Sequence, residues 1–382
     1  MSECLKILKN LVRINSENPP GNTQQIIKWI QKWAEKNNIS SEIHSYTNNQ
    51  ANILLTIGQS DRSIVMCGHL DTVPIGDISN WDYDPLGAEE VGGYLYGRGS
   101  ADMKGGVAAC LGALKALKNS VDINKLIFQI VFLGTSDEEV GLGGAKAVMQ
   151  KLRIMENAEF LIVTEPTNLK VGIAEKGVLW FTIRCFGEAA HGSTPEKGVN
   201  AIEELVKLFP LLKKAVPQIS DPILGKSTIN LGVIKGGKSA NVVPEKAEIQ
   251  CDFRLVPPVI ISDFADEIKN SIKIFEKSSP ARFETEINQI MLPVSNSQNN
   301  KFIQHFMEVS ENRVPIGLNY GTDAAVLVPQ ASRPVPFVIY GPGDPKAIHC
   351  ANERVPINEL QEVELVLTKF LKDIAILSPV SG

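Results

Sequence analysis

The sequence predicts an α/β protein with a mostly parallel sheet and a smaller α+β insert. From Ser2 to about residue 177, short apolar runs alternate with apolar stripes of helical spacing, the pattern of a parallel sheet covered by helices on both faces. From about Val178 the apolar residues change to period two, the mark of an antiparallel sheet with one wet face. From about Gln289 the first pattern returns. The expected organisation is a first domain made of residues 1–177 and 290–382 around an inserted domain of residues 178–289.

Each element follows from local pattern. Leu5, Leu8, Leu11 and Val12 trace one helical stripe, and Ile26, Ile27, Ile30 and Trp33 trace a second. Strands are expected at 52–57, 63–67, 126–134 and 160–164, separated by helices near 105–117 and 143–152. In the insert, Leu179, Phe181, Ile183 and Cys185 alternate with Trp180, Thr182, Arg184 and Phe186, and Ile249, Cys251, Phe253 and Leu255 alternate with Gln250, Asp252 and Arg254. A helix over 201–214 has Asn200 as N-cap with Glu203 three residues on. A second, over 263–277, can be capped by Ser262 and keeps Phe264, Ile268, Ile272 and Phe275 on one face. Helices near 301–310 and 359–377 flank a last strand at 335–340.

Composition narrows the function classes. The 382 residues carry a formal net charge of -5, which argues against nucleic acid or an anionic membrane as partner. No apolar run approaches the ~20 residues of a membrane span, and Met-Ser-Glu-Cys-Leu-Lys at the start lacks the pattern of a secretory signal, so the expected location is cytoplasmic. Cys4, Cys67, Cys110, Cys185, Cys251 and Cys350 form no Cys-x-x-Cys pair, lie mostly in apolar patterns and read as buried reduced thiols.

The chemistry-bearing residues collect where strands are expected to end. Cys67-Gly-His-Leu-Asp71 closes one strand, Gly97-Arg-Gly-Ser-Ala-Asp102-Met-Lys-Gly-Gly106 follows, Thr-Ser-Asp-Glu138-Glu139 closes another, Glu165 a third, and His349 follows the last. The carboxyl edge of an α/β sheet is where ligands bind. His69, Asp102, Glu139, Glu165 and His349 supply two imidazoles and three carboxylates, about what a pair of divalent ions needs when one carboxylate bridges them. Such donors fit zinc, cobalt or manganese better than calcium. Of the adjacent Glu138 and Glu139, one can bind metal while the other acts as general base, and Asp71 can accept the other N–H of His69. A lone His-x-Asp is most often a surface pair, and adjacent glutamates are most often a solvated loop. The apolar strand before Glu138 and Gly141 after it favour the functional reading. His44 and His305 have no such context and read as ordinary surface groups, and Arg254 has Asp252 beside it as a plain ionic partner.

These motifs resemble the dinuclear-zinc deacylases and exopeptidases that include acetylornithine deacetylase, succinyl-diaminopimelate desuccinylase, aminoacylase and the glutamate-releasing carboxypeptidase. Gly68-His-Leu-Asp-Thr-Val-Pro74, Gly97 to Gly106, Asp137-Glu-Glu-Val-Gly141, Thr164-Glu-Pro-Thr167, Ala190-His-Gly-Ser-Thr-Pro195, Gly236-Gly-Lys-Ser-Ala-Asn-Val-Val-Pro244 and Ile348-His349 fit in order over nearly the whole chain. The resemblance implies a zinc-peptidase-like catalytic domain with a lid and dimerisation insert. It implies two metal ions with Asp102 bridging, His69 and Glu165 on one, Glu139 and His349 on the other, and Glu138 as base. It further implies a cis peptide bond between Asp102 and Met103, His191 polarising the scissile carbonyl from a partner subunit, Arg254 holding a substrate carboxylate, and Asn241 near it. A homodimer through the insert is expected, since pairing would also cover an exposed edge strand. The implied substrate is a small N-acyl amino acid or short peptide. The segment Gly317-Leu-Asn-Tyr-Gly-Thr-Asp-Ala-Ala324 departs from the Gly-Thr-Ser-Asp form associated with the desuccinylases. Deacylase, carboxypeptidase and dipeptidase therefore remain open, with a catalytically silent binding protein as the reading from another class.

Overall fold

A computed structural model describes residues 2–376. The chain divides into two compact units: 2–173 with 296–316 and 322–376, and 174–295 with 317–321.

The core of the first unit is a mixed sheet. Its strands run in the order Ser40–Ser45, Ala51–Ile57, Gln129–Thr135, Ser63–His69, Ala158–Val163 and Phe337–Ile339, with Gly172 at the end of this run. The last four of these strands are mutually parallel; Ala51–Ile57 runs against them, and Ser40–Ser45 pairs antiparallel with Ala51–Ile57 at the edge. Every residue of Ser63–His69 is buried, as expected for a central strand covered on both faces. From that strand the chain crosses to one neighbour, Gln129–Thr135, and later returns to the opposite neighbour, Ala158–Val163. Adjacent strand ends whose connections leave in opposite directions open a crevice at the carboxyl edge. His69 and Glu165 lie on its two sides.

The helix Lys104–Ser120 packs on this sheet and against Glu3–Val12 and the C-terminal Ile357–Ile376. Its small residues Gly105, Gly106, Ala108, Ala109, Gly112 and Ala113 are all buried, so its axis can approach the strands closely. A Cβ on Gly106 would stand 2.0 Å from the carbonyl oxygen of Thr164, the residue before Glu165.

The second unit is a four-stranded antiparallel sheet in the order Thr228–Gly236, Lys246–Leu255, Gly177–Phe186 and Arg282–Met291. Leu179, Phe181, Ile183, Ile249, Cys251 and Phe253 face Leu205, Leu212, Phe264, Ile268 and Ile272 of the covering helices.

Several local expectations need correction. The helix over 201–214 is two helices, Ala201–Lys207 and Phe209–Ala215, because Pro210 has no N–H to continue the ladder and crowds the preceding turn. Asn200 does cap the first, accepting from the N–H groups of Ile202 and Glu203. Ser262 does not cap: its helix begins at Ile261 and the Ser262 hydroxyl bonds to Asp263. The edge strand Ser40–Ser45 carries only one aliphatic residue and gave no apolar signal. Cys350 is exposed, unlike the other five free cysteines.

Gly106→Ala should destabilise the protein by about 1–3 kcal/mol through overpacking against the Thr164 carbonyl. The urea unfolding midpoint checks this, and a change under about 0.5 kcal/mol would mean the helix and strand end can part freely.

Candidate dinuclear metal centre

Strand ends supply four of the candidate ligands. His69 is the last residue of its strand, Glu165 follows Ala158–Val163, Glu139 follows Gln129–Thr135, and His349 lies in the loop after Phe337–Ile339. Glu138 and Glu139 open a one-turn helix, Glu138–Gly141, rather than a loop. Asp102 is not at a strand end: it sits one residue before Met103, the N-cap of the helix Lys104–Ser120. The peptide bond between Asp102 and Met103 is cis.

Asp102 stands between the two imidazoles. Its Oδ1 lies 3.1 Å from Nε2 of His69, and its Oδ2 lies 3.0 Å from Nε2 of His349. Glu165 Oε1 is 3.7 Å from the same nitrogen of His69, and Glu139 Oε2 is 3.1 Å from that of His349. Among the described residues, His69, Asp102 and Glu165 form one group of converging donor atoms, and Asp102, Glu139 and His349 form the other. A carbonyl can only accept, so the 2.9 Å contact from Nδ1 of His69 to the Asp71 backbone oxygen fixes a proton on Nδ1 and leaves Nε2 facing the carboxylates, as the nitrogen that holds a proton there or gives it up to a cation. This corrects the role expected for the Asp71 side chain. Its carboxylate instead accepts from the N–H groups of Glu138 (3.2 Å) and Glu139 (3.3 Å).

The electrostatics test whether these residues fit a cation pair. Burial, followed by the neighbouring Asp102 charge, pushes the Glu139 and Glu165 carboxyls up, Glu165 well above its ordinary value. Burial pushes Glu138 well up too, with the charges of Glu165 and Glu139 adding. Hydrogen bonds to Asp102 and Glu139 raise His349 to about 10. His69 is raised as well: burial opposes its charge, but Glu165 and Asp102 outweigh it. Without a cation, then, this cluster is eased only by holding protons. Nitrogen and carboxylate donors around a shared Asp102, carrying surplus negative charge, fit two divalent ions.

Three buried residues that the sequence did not single out support the cluster. Glu353 accepts from Arg98 Nη1 (2.6 Å) and from the backbone N–H groups of Gly99 (3.1 Å), Ala101 and Asp102 (3.0 Å each), folding the Gly-rich loop that presents Asp102. Asp323 accepts from Thr135 and from the Cys67 thiol, and its Oδ1 has no hydrogen-bond partner among the described residues. Asn18 lies against Asp71 and Asp137. Glu353 and Asn18 stand in polar segments with no motif to mark them. Asp323 lies in the Gly317 to Ala324 segment, whose apolar tail was a usable sign of burial.

In the second unit His191 is exposed, with Nδ1 2.7 Å from the Ser193 hydroxyl. Its backbone bridges to Val242, and Gly192 N–H donates to the Asn241 carbonyl at 2.7 Å, so the His191 and Asn241 loops meet. Arg254 is not part of that meeting. Its Nε and Nη2 bind Asp252, and Nη1 lies 3.5 Å from the Asn319 carbonyl.

The sequence profile described as peptidase family M20/M25/M40 matches residues 65–373. The chain is 29% identical over 358 residues to an acetylornithine deacetylase of Proteus mirabilis, covering 92% of this chain and 90% of that protein. It is 28% identical over 388 residues to a protein of Staphylococcus aureus named probable succinyl-diaminopimelate desuccinylase, covering 92% and 93%. Among solved structures it resembles an M20 family metallo-carboxypeptidase of Sulfolobus solfataricus, with TM-score 0.82, 19% identity and coverage of 99% and 100%. It also resembles a tripeptidase of Staphylococcus aureus, with TM-score 0.80, 22% identity and 98% of each chain covered. At these identities the structural likeness shows the fold.

Cation binding should release protons and strengthen as pH rises. The His349 pair with Asp102 and Glu139 is fully present below the ordinary imidazole value of 6.5 and is lost as pH rises through about 10. A cation competes with that proton, so affinity should climb by up to about tenfold per pH unit for each proton displaced across roughly pH 6–8. Calorimetry of zinc or cobalt binding with pH-stat proton counting measures this, and an affinity that is flat or falls with pH contradicts it.

Proposed function

The chain belongs to peptidase family M20/M25/M40, and we propose that within it the protein hydrolyses the amide bond of a small N-acyl amino acid, in the manner of the acetylornithine deacetylases and succinyl-diaminopimelate desuccinylases. The observation that carries this reading is the placement of Asp102 between His69 and His349, with Glu165 and Glu139 flanking and Glu138 beside them. Its support in substrate class comes from the names of the 29% and 28% identical relatives. The rival within the family is a metallo-carboxypeptidase or dipeptidase. A catalytically silent binding protein is disfavoured by the intact donor set and Glu138.

In this reading His69 and Glu165 would hold one cation, Glu139 and His349 would hold the other, and Asp102 would be shared between them. Two divalent ions, zinc with cobalt or manganese as alternatives, would acidify a water and polarise the amide carbonyl when bound. Glu138 takes the proton of the attacking water and returns it to the amine nitrogen as the C–N bond breaks. Asp71 holds the two amides from which Glu138 and Glu139 project. His191 donates toward the carbonyl oxygen, Asn241 lies beside it in sequence-distant but adjoining loops, and Arg254 offers Nη1 to the substrate carboxylate. The inserted domain is read as the lid, and the cytoplasm as the location, in keeping with six unpaired cysteines.

We also propose a homodimer through the insert. The edge strand Thr228–Gly236 supports it, with Val233 at 39% and Ile234 at 53% exposure beside unpaired backbone groups.

A panel of N-acetyl and N-succinyl amino acids, dipeptides and acyl-glutamates, assayed with added zinc, cobalt or manganese, tests the substrate class. Preference for dipeptides would select the rival, and no cleavage with no cation bound would end the enzyme reading. Glu138→Gln should keep both cations while kcat falls ~10²–10⁴-fold; Glu139→Gln should lose one cation. The reverse pattern would exchange the two roles. Mixing inactive His191→Ala with inactive Glu138→Gln should restore activity once subunits exchange. Exchange without recovery would place His191 outside the partner's site.

A further inference from the structure

The Asn18 amide lies between two carboxylates. Its Nδ2 donates one hydrogen to Asp71 Oδ2 at 2.9 Å and the other to Asp137 Oδ1 at 2.8 Å. The chemistry leaves no choice of orientation, because both partners are acceptors and only the NH₂ end of the amide can serve both. Asn18 is 4% exposed and Asp71 is fully buried. The backbone of Asn18 is fixed independently, its N–H donating to the Thr72 carbonyl at 2.8 Å, next to Asp71 in the chain.

Both carboxylates govern the turn that carries Glu138. Asp71 accepts from the Glu138 and Glu139 N–H groups. Asp137 directly precedes Glu138 in a left-handed conformation, φ 65°, and its backbone carbonyl closes the turn through Gly141 N–H. Gln50 adds a second donor to Asp137 at 3.2 Å, but among the described residues no other side chain hydrogen-bonds to Asp71; Nδ1 of His69 stands 3.9 Å from its Oδ1 and bonds to the Asp71 backbone oxygen instead. Two carboxylates brought this close repel unless a donor stands between them.

We propose that Asn18 is a positioning residue: by bridging Asp71 and Asp137 with one amide nitrogen, it fixes the backbone from which Glu138 projects. The inference deepens the proposed mechanism and rests on Glu138 as its base. Without the bridge, Asp71 and Asp137 separate, the Glu138 and Glu139 amides lose their acceptor, and the base leaves its place. A small displacement suffices to lower turnover about 100-fold.

The test uses the full chain carrying Asn18→Leu, similar in size but without a donor. Hydrogen exchange at the Glu138 and Glu139 amides should accelerate about tenfold or more, while amides of the strand Gln129–Thr135 keep their protection. With the best N-acetyl amino acid of the panel, kcat should fall ~10²-fold with KM changed less than about threefold and zinc content intact. Adding Asp137→Asn should restore at least about tenfold of the lost kcat, because it removes one of the repelling charges. A role in packing alone would gain nothing from that second change. If Asn18→Leu fails to fold, Asn18→Ser, with a donor for one carboxylate only, is read by the same exchange. Unchanged exchange at the two amides, acceleration spread evenly over the unit, or no rescue overturns the proposal. If the wild type cleaves nothing, the proposed function falls, and the exchange result alone decides whether Asn18 positions the turn.

Discussion

Surplus negative charge at the carboxyl edge of the central sheet is the constraint on which the site depends. Asp71, Asp102, Glu165 and Asp323 are buried there with Glu138 and Glu139 beside them, and His69 and His349 are the nearby cations. Left alone, such a cluster raises carboxyl proton affinities or drives the groups apart. The surroundings hold it together mostly with backbone and amide donors that carry no full charge, Arg98 on Glu353 being a charged one. Asp71 takes two backbone N–H groups and Asn18, while Glu353 takes three backbone N–H groups and Arg98. Negative charge is thereby kept in place for divalent ions to neutralise, instead of being cancelled within the protein.

The fold makes this possible through its central crossover. Fully buried strands such as Ser63–His69 stop at one edge, and the crevice between oppositely connected neighbours receives His69 and Glu165. Asp102 must reach the same point from another direction, across the start of the helix Lys104–Ser120. The small residues of that helix let it lie against the Thr164 carbonyl, so Asp102 and the strand ends share one rigid frame.

Much of this was legible from residue pattern. The apolar runs before His69, Glu138 and Glu165 marked strand ends, and the change to period two at Val178 marked the insert, because hydrophobic spacing reports burial directly. The supporting groups were not legible for the converse reason. Glu353 and Asn18 are polar residues in polar segments, and their importance lies in which distant N–H or carboxylate they meet. Asp71 shows the limit within a recognised motif: the His-x-Asp spacing suggested a side-chain partner for the imidazole, but the backbone oxygen takes that place and frees the carboxylate for Glu138 and Glu139. The Ser40–Ser45 edge strand escaped because a polar edge has no apolar period, and the break at Leu208 escaped because the apolar stripe continues through Pro210.

The division between the two units also bears on substrate choice. Each proposed ligand and the proposed base belong to the first unit, where all but the exposed His349 are held among buried or half-buried neighbours. His191 and Asn241 belong to exposed loops of the second unit, where substitutions disturb fewer packed neighbours. Amide hydrolysis can then be retained while recognition changes, which accords with relatives named deacetylase and desuccinylase and a shared fold with a carboxypeptidase and a tripeptidase. Arg254 sits between these extremes. Two of its three nitrogens are engaged by Asp252, so in the role proposed for it Arg254 would meet a carboxylate with Nη1 alone unless Asp252 yields. A carboxylate held by a single N–H is oriented less strictly than one held by a two-pronged fork. Under the proposed function, recognition of an amino-acid carboxylate would therefore need groups besides Arg254.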